Sequence, residues 1–229
     1  MKFIVLEGLD GSGKSTQVEL LKKYLKKSKI PFKYIHFPRS GEGIYGELVA
    51  RFLRGDLGKI DEVNPYLVAL IYAGDRYDAS FMINTWIKDG YLVLTDRYVY
   101  SNIAFQCAKL SSVQERAELR EWIKNLEFNY HDIPKPDLSI FLNVPFSFTH
   151  VNLTSNRTGC DRDYLNGKTD IHEADLDFQK QVLDVYLWQT NLEDDFVKLD
   201  CHDPASHEIL KPDMIFKKIL DTFGEKEII

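Results

Sequence analysis

The chain has 229 residues, of which 44% are hydrophobic and 28% charged, and its net charge is −6. That length suits one α/β domain with a full sheet core. The acidic balance without a basic stripe speaks against nucleic acid. No uncharged apolar run approaches the ~20 residues that span a bilayer.

Strand-like and helix-like patterns alternate from the start. The apolar run in MKFIVLEG stops at Glu7, too short for a secretory leader. It reads as a buried strand, Phe3–Leu6, in a cytoplasmic protein. Thr16–Lys27 places Val18, Leu21 and Leu25 on one helical face and lysines on the other. Phe32–Phe37 is a second strand, ended by Pro38. Ile44–Leu53 and Val63–Ile87 read as helices, Tyr91–Thr95 as a strand, and Asn102–Lys109 and Ser111–Phe128 as helices. Leu138–Leu142 is a strand behind Pro134 and Pro136. Phe146–Leu153 and Glu173–Trp188 are helices, Phe196–Leu199 a last strand and Ser206–Phe223 a last helix. With no repeat and no linker, this order predicts a single α/β domain. Its parallel sheet is covered on both faces, and ligands bind beyond the carboxyl ends of the strands.

The chemistry follows those strands. Gly8-Leu9-Asp10-Gly11-Ser12-Gly13-Lys14-Ser15, followed by Thr16, matches the phosphate loop G-x-x-x-x-G-K-[ST] between a strand and a helix. Glycines let the backbone curl so that its N–H groups converge on phosphate oxygens, and the helix N-terminus adds a favourable dipole. Lys14 should reach the β- and γ-phosphates, and the Ser15 hydroxyl should ligate Mg²⁺. The loop marks a nucleotide user without separating kinases from GTPases, ATPases or sulfotransferases.

Arginines carry the next distinction. Arg39 follows the second strand, Arg97 the third, and Arg76 lies on a long helix. A guanidinium fork suits phosphate. Asp96, beside Arg97, is placed like a carboxylate that serves the metal. A nucleoside kinase needs a base for a neutral hydroxyl. A nucleotide kinase attacks with an anionic oxygen and needs cations that hold two repelling phosphates in line. The second strand exits into Phe37-Pro38-Arg39, with no carboxylate there, and Glu42 and Glu47 read as helix start and solvent face.

Cys107, Cys160 and Cys201 are widely spaced, so they read as free thiols rather than a disulfide or zinc framework. The six histidines lack metal spacing, and they and Trp86, Trp122 and Trp188 are assigned to packing.

Over almost its whole length the chain resembles thymidylate kinases. The matching segments are EGLDGSGKST, FPR, YAGDRY, TDRYVYSNIAFQ, PKPDLSIFL and RTGCDR. The resemblance implies a P-loop NTPase-type five-stranded parallel sheet with a short lid, usually a homodimer. It also implies transfer of the γ-phosphate of Mg-ATP to dTMP for dTTP synthesis. Asp10 then corresponds to the carboxylate on the deoxyribose 3′-hydroxyl and the metal-water network. Arg39 and Arg97 correspond to arginines on the dTMP phosphate, Tyr72 to the aromatic stacked on thymine, and Arg76 to the arginine near thymine O4. Ser101 and Gln106 correspond to positions bordering the base.

Some relatives carry an arginine where this chain has Gly11; those without it place catalytic arginines in the lid. Asn152–Asp170 is the expected lid, with Arg157, Arg162 and Lys168 beside Asp161, Asp163 and Asp170. Arg157 and Arg162 are the catalytic candidates there. Tyr164 and Glu173 correspond to residues near the sugar and the lid hinge. Two other readings stay open: a kinase for another pyrimidine nucleotide or a deoxynucleoside, and a non-catalytic nucleotide-binding module.

Overall fold

The computed structural model describes residues 2–154 and 165–229. Five parallel strands, β1 (Phe3–Glu7), β2 (Phe32–His36), β3 (Leu92–Asp96), β4 (Leu138–Asn143) and β5 (Phe196–Asp200), form one sheet in the order β2-β3-β1-β4-β5. The register sets Leu6 opposite Asp96, so the ends of β1 and β3 lie side by side at the sheet's centre.

Alternation along each strand divides the core between two faces. Phe3, Val5, Val93, Phe141 and Phe196 pack beneath α3 (Pro65–Lys88), α4 (Val99–Cys107), α5 (Val113–Lys124) and α8 (Leu176–Thr190). Ile4, Leu6, Leu92, Leu94, Ile140 and Leu142 pack on the opposite face. There they meet Val18, Leu21 and Leu25 of α1 (Lys14–Lys27) and Ile215, Ile219 and Phe223 of α9 (Pro212–Glu225). Among the described residues no helix is long and apolar enough to cross a membrane.

Several boundaries differ from the sequence pattern. The expected helix Glu173–Trp188 is two, α7 (Ile171–Ala174) and α8, because Asp175 leaves helical geometry and caps Phe178 N at 2.9 Å. The last helix starts at Pro212, not Ser206, since proline suits a first helical turn. The helix expected over Ser111–Phe128 runs as α5 and then widens into a π-helical turn, Asn125–Tyr130, which buries Glu127 completely. Trp122 is exposed, set edge-on to Tyr66, whereas Trp86 and Trp188 are half-buried against the core.

Two short elements complete the frame of the site. α2 (Gly43–Leu53) follows the Arg39 turn, and α6 (Phe146–Thr154) follows β4. Gly46 of α2 packs so closely on the Arg39 carbonyl that an added Cβ would lie 2.2 Å from its oxygen. The absence of a side chain there lets α2 sit directly against the turn that carries Arg39.

Candidate active site

The loop between β1 and α1 turns left-handed at Gly11 (φ 76°) and Gly13 (φ 83°), which side chains disfavour. Gly13 is the N-cap of α1 and supplies no side-chain cap, so the first amides of the helix are left for a ligand. Lys14 Nζ folds back onto the carbonyls of Gly8 (3.1 Å) and Leu9 (3.0 Å). Burial, with repulsion from Arg97, pulls its ammonium down to about 8 against the attraction of Asp96, Asp10 and Glu7. Ser15 and Thr16 stay exposed. Asn152 of α6 donates to the Gly11 carbonyl at 2.7 Å. A Cβ on Gly11 would lie 3.1 Å from Asn152 Cβ and 3.2 Å from the Thr149 carbonyl oxygen. An arginine at this position would have to displace α6.

A cavity of about 1200 Å³ opens over this loop. Asp10, Gly11, Ser12, Gly13, Lys14, Ser15, Thr16, Arg39, Tyr72, Arg76, Asp96, Arg97, Ser101 and Gln106 all line it. The sequence-predicted candidates therefore converge, apart from five. Arg157, Arg162 and Tyr164 lie outside the described residues. Gly8 and Leu9 lie in the loop behind the lining, and their carbonyls anchor Lys14.

Each arginine is held by a carboxylate. Arg97, itself left-handed at φ 66°, donates from Nη2 to Asp10 Oδ1 at 2.7 Å and lies over the Phe105 ring. Burial alone would lower its guanidinium, but Asp10, Tyr186, Asp96 and Glu7 outweigh that and keep it charged. Arg39 grips Asp75 through its backbone N (2.9 Å), its Nε (2.9 Å) and, on the Asp75 carbonyl, its Nη2 (2.8 Å). Arg76 is only 2% exposed and makes a bidentate pair with Glu127, with Nη2 to Oε1 at 2.7 Å. Its Nη1 has no hydrogen-bond partner among the described residues. Sequence reasoning gave no role to Glu7, Asp75, Glu127, Tyr186 or Gln179, which bonds Asp10 Oδ2 at 3.2 Å.

Asp96 fits a metal ligand. Its Oδ1 is buried with no hydrogen-bond partner, while Oδ2 lies 3.5 Å from His36 Nδ1. Burial raises its carboxyl, but His36, Lys14 and Arg97 together bring it below the usual range, so it is anionic. An orphan carboxylate oxygen and an exposed serine hydroxyl are hard donors of the kind Mg²⁺ takes, completed by water and phosphate rather than by a protein cage. No group of three or more His, Cys, Asp and Glu side chains suited to a metal occurs among the described residues.

His36 and His172 both line the cavity rather than serving packing alone. His172 sits among Phe52, Phe105 and Phe178, and burial holds its ring neutral, down to about 3. Gln106 is 1% exposed, and neither amide atom has a hydrogen-bond partner.

An anion cradle at a helix start, with three arginines around one cavity, places the chain among P-loop phosphotransferases. Comparison with known proteins narrows that class. The family model for thymidylate kinase matches residues 6–206. The thymidylate kinase of Plasmodium falciparum is 31% identical over 185 residues, covering 81% of this chain and 75% of the relative. A probable thymidylate kinase of Pyrobaculum aerophilum is 32% identical over 190 residues, 82% of each chain. The solved structure of thymidylate kinase from Candida albicans shares the fold, with a TM-score of 0.72 over 99% of this chain and 92% of that one at 23% identity. The chain belongs to the thymidylate kinase family.

Proposed function

We propose that the chain transfers the γ-phosphate of ATP to the phosphate of dTMP by direct in-line displacement, as one catalytic domain. The observation that carries this reading is that three arginines line one cavity and each is held in place by a carboxylate. Asp10, Asp75 and Glu127 are committed to Arg97, Arg39 and Arg76. Three fixed guanidinium groups around one cavity suit an acceptor that is already anionic.

The loop amides and Lys14 hold the phosphates of ATP. Ser15 and Asp96 would hold Mg²⁺, which would supply neutralising charge to the phosphates of ATP. Arg39 and Arg97 seat the acceptor phosphate, Tyr72 stacks on the base, and Arg76 Nη1, Ser101 and Gln106 border its edge. The resemblance assigns Arg157 and Arg162 to catalysis and Tyr164 to the sugar. The buried free thiols Cys107 and Cys201, both pushed up to about 12 by burial, suit a reducing cytoplasm.

The test is ADP release with ATP, Mg²⁺ and each of dTMP, dUMP, dCMP, UMP, AMP and thymidine. Highest kcat/KM with dTMP is expected, and chelation of Mg²⁺ should abolish turnover. Preference for thymidine, or no turnover with any acceptor in a folded protein that binds ATP, would overturn the reading.

The homodimer that the resemblance implies has a surface to form on. α3 is apolar on both sides, and its outer stripe exposes Leu67 (60%), Leu70 (42%), Tyr77 (50%) and Phe81 (82%). A contiguous exposed apolar stripe of this kind marks a contact surface. Sedimentation should show a dimer for the native chain and a monomer for Phe81→Asp; a native monomer would reject this interface.

A further inference from the structure

Glu7 ends β1 one residue before the phosphate loop and is completely buried. We propose that Glu7 is a positioning residue for Arg97: its carboxylate orients the two hydroxyls that receive the guanidinium and pins the backbone that follows it. The proposal rests on the assignment of Arg97 to the acceptor phosphate.

Proton counting carries the inference. Arg97 Nη1 donates to Ser101 Oγ at 3.1 Å and to Tyr186 OH at 3.2 Å. A guanidinium only donates, so both hydroxyls must accept there and turn their single proton elsewhere. Ser101 Oγ gives its proton to Glu7 Oε2, and Tyr186 OH turns its own to the same side, between Ser101 Oγ at 2.7 Å and Glu7 Oε2 at 3.1 Å. Glu7 and Arg97 are therefore an ion pair bridged by two oriented hydroxyls. With Nη1 engaged on this inner side, Nη2 is the nitrogen that meets Asp10 beside the loop.

The other carboxylate oxygen fixes the backbone. Glu7 Oε1 accepts from Tyr98 N at 2.9 Å and Ser101 N at 3.2 Å. Arg97 N donates to the Leu6 carbonyl at 2.9 Å. The end of β1 thus holds the left-handed Arg97 from both sides, an arrangement of the kind that sustains strain at functional sites.

Glutamine would keep one oxygen for the two amides but set an NH₂ against the hydroxyls. That group donates, so the hydroxyl protons would turn toward Arg97 and push it off its seat. Tyr186→Phe is the gentler test, because the ring stays stacked on Phe141 at 4.6 Å and only the hydroxyl is lost.

The experiment is a double-mutant cycle of Glu7→Gln and Tyr186→Phe, with Arg97→Lys alongside. Glu7→Gln should lower kcat/KM for dTMP by about 10–100-fold, as misplacement of a binding group does, while KM for ATP changes by less than about 3-fold. Tyr186→Phe should lose about 10-fold, and the double variant should be no worse than Glu7→Gln within about 3-fold, because both break one link. Native kcat/KM in folded Glu7→Gln, losses that multiply in the double variant, or an equal rise of both KM values would each overturn the proposal. Should Glu7→Gln fail to fold, native kcat/KM in Tyr186→Phe would overturn it alone. Full activity of Arg97→Lys would instead remove the acceptor role of Arg97 itself.

Discussion

Arg97→Ala is expected to lower kcat/KM for dTMP by about 10³-fold, the scale on which one preorganised cation or donor at a transferring phosphoryl group acts. The loss has two parts. The acceptor phosphate loses its guanidinium, and Asp10, no longer neutralised at 2.7 Å, presents an uncompensated carboxylate to an anionic substrate. Folding should survive. The left-handed backbone at φ 66° is as strained for arginine as for alanine, so the substitution adds no backbone cost. Glu7, whose carboxyl burial already raises against the opposing pull of Ser101 and Arg97, takes up a proton rather than remain an isolated buried charge. ATP binding should persist because Lys14 and the loop amides are untouched. Arg97→Lys should recover only a minor part of the activity, because one ammonium cannot span Asp10, Ser101 and Tyr186 as a planar fork does. Steady-state kinetics with calorimetric ATP binding and a melting curve decide the matter. Native turnover in a folded Arg97→Ala protein would remove Arg97 from the site.

The architecture was legible because buried parallel strands are near-continuous apolar runs, as in β1, β3 and β4, while the edge strands β2 and β5 keep the pattern around Lys33 and Lys198. The loop was legible because its function depends on local spacing. What stayed hidden depends on contacts between distant residues. Asp75 reaches Arg39 across 36 positions, Glu127 reaches Arg76 across 51 and Glu7 reaches Tyr98 across 91. Nothing in a linear pattern ties a carboxylate on one element to an arginine on another. Glu127 is hidden twice over. In a regular α-helix it would pass for a solvent-face glutamate, and only the wider π-helical turn changes which residues share the buried face. The break at Asp175 was masked by apolar residues that keep helical spacing on both sides of it, although an aspartate is a common helix start.

Glu127→Ala should be the most destabilising single change at the site, costing about 3–5 kcal/mol as the loss of one partner of a buried ion pair does. Arg76 would be left charged at 2% exposure, and Asn102 Nδ2, 3.0 Å from Glu127 Oε1, would lose an acceptor. Against a total stability of about 5–15 kcal/mol, that should lower the melting temperature by roughly 10 °C in a domain of this size. The double variant Arg76→Met, Glu127→Leu removes both charges while keeping most of the volume. A hydrophobic pair in such a place is often neutral or better, so the melting temperature should return to within about 3 °C of native. Activity should not return with it. Arg76 lines the cavity, and the double variant lacks the donor proposed for the edge of the base. A stable double variant with a raised KM for dTMP would assign the pair to substrate recognition. A stable double variant with native KM would show that Arg76 and Glu127 serve the fold alone and that other residues read the base.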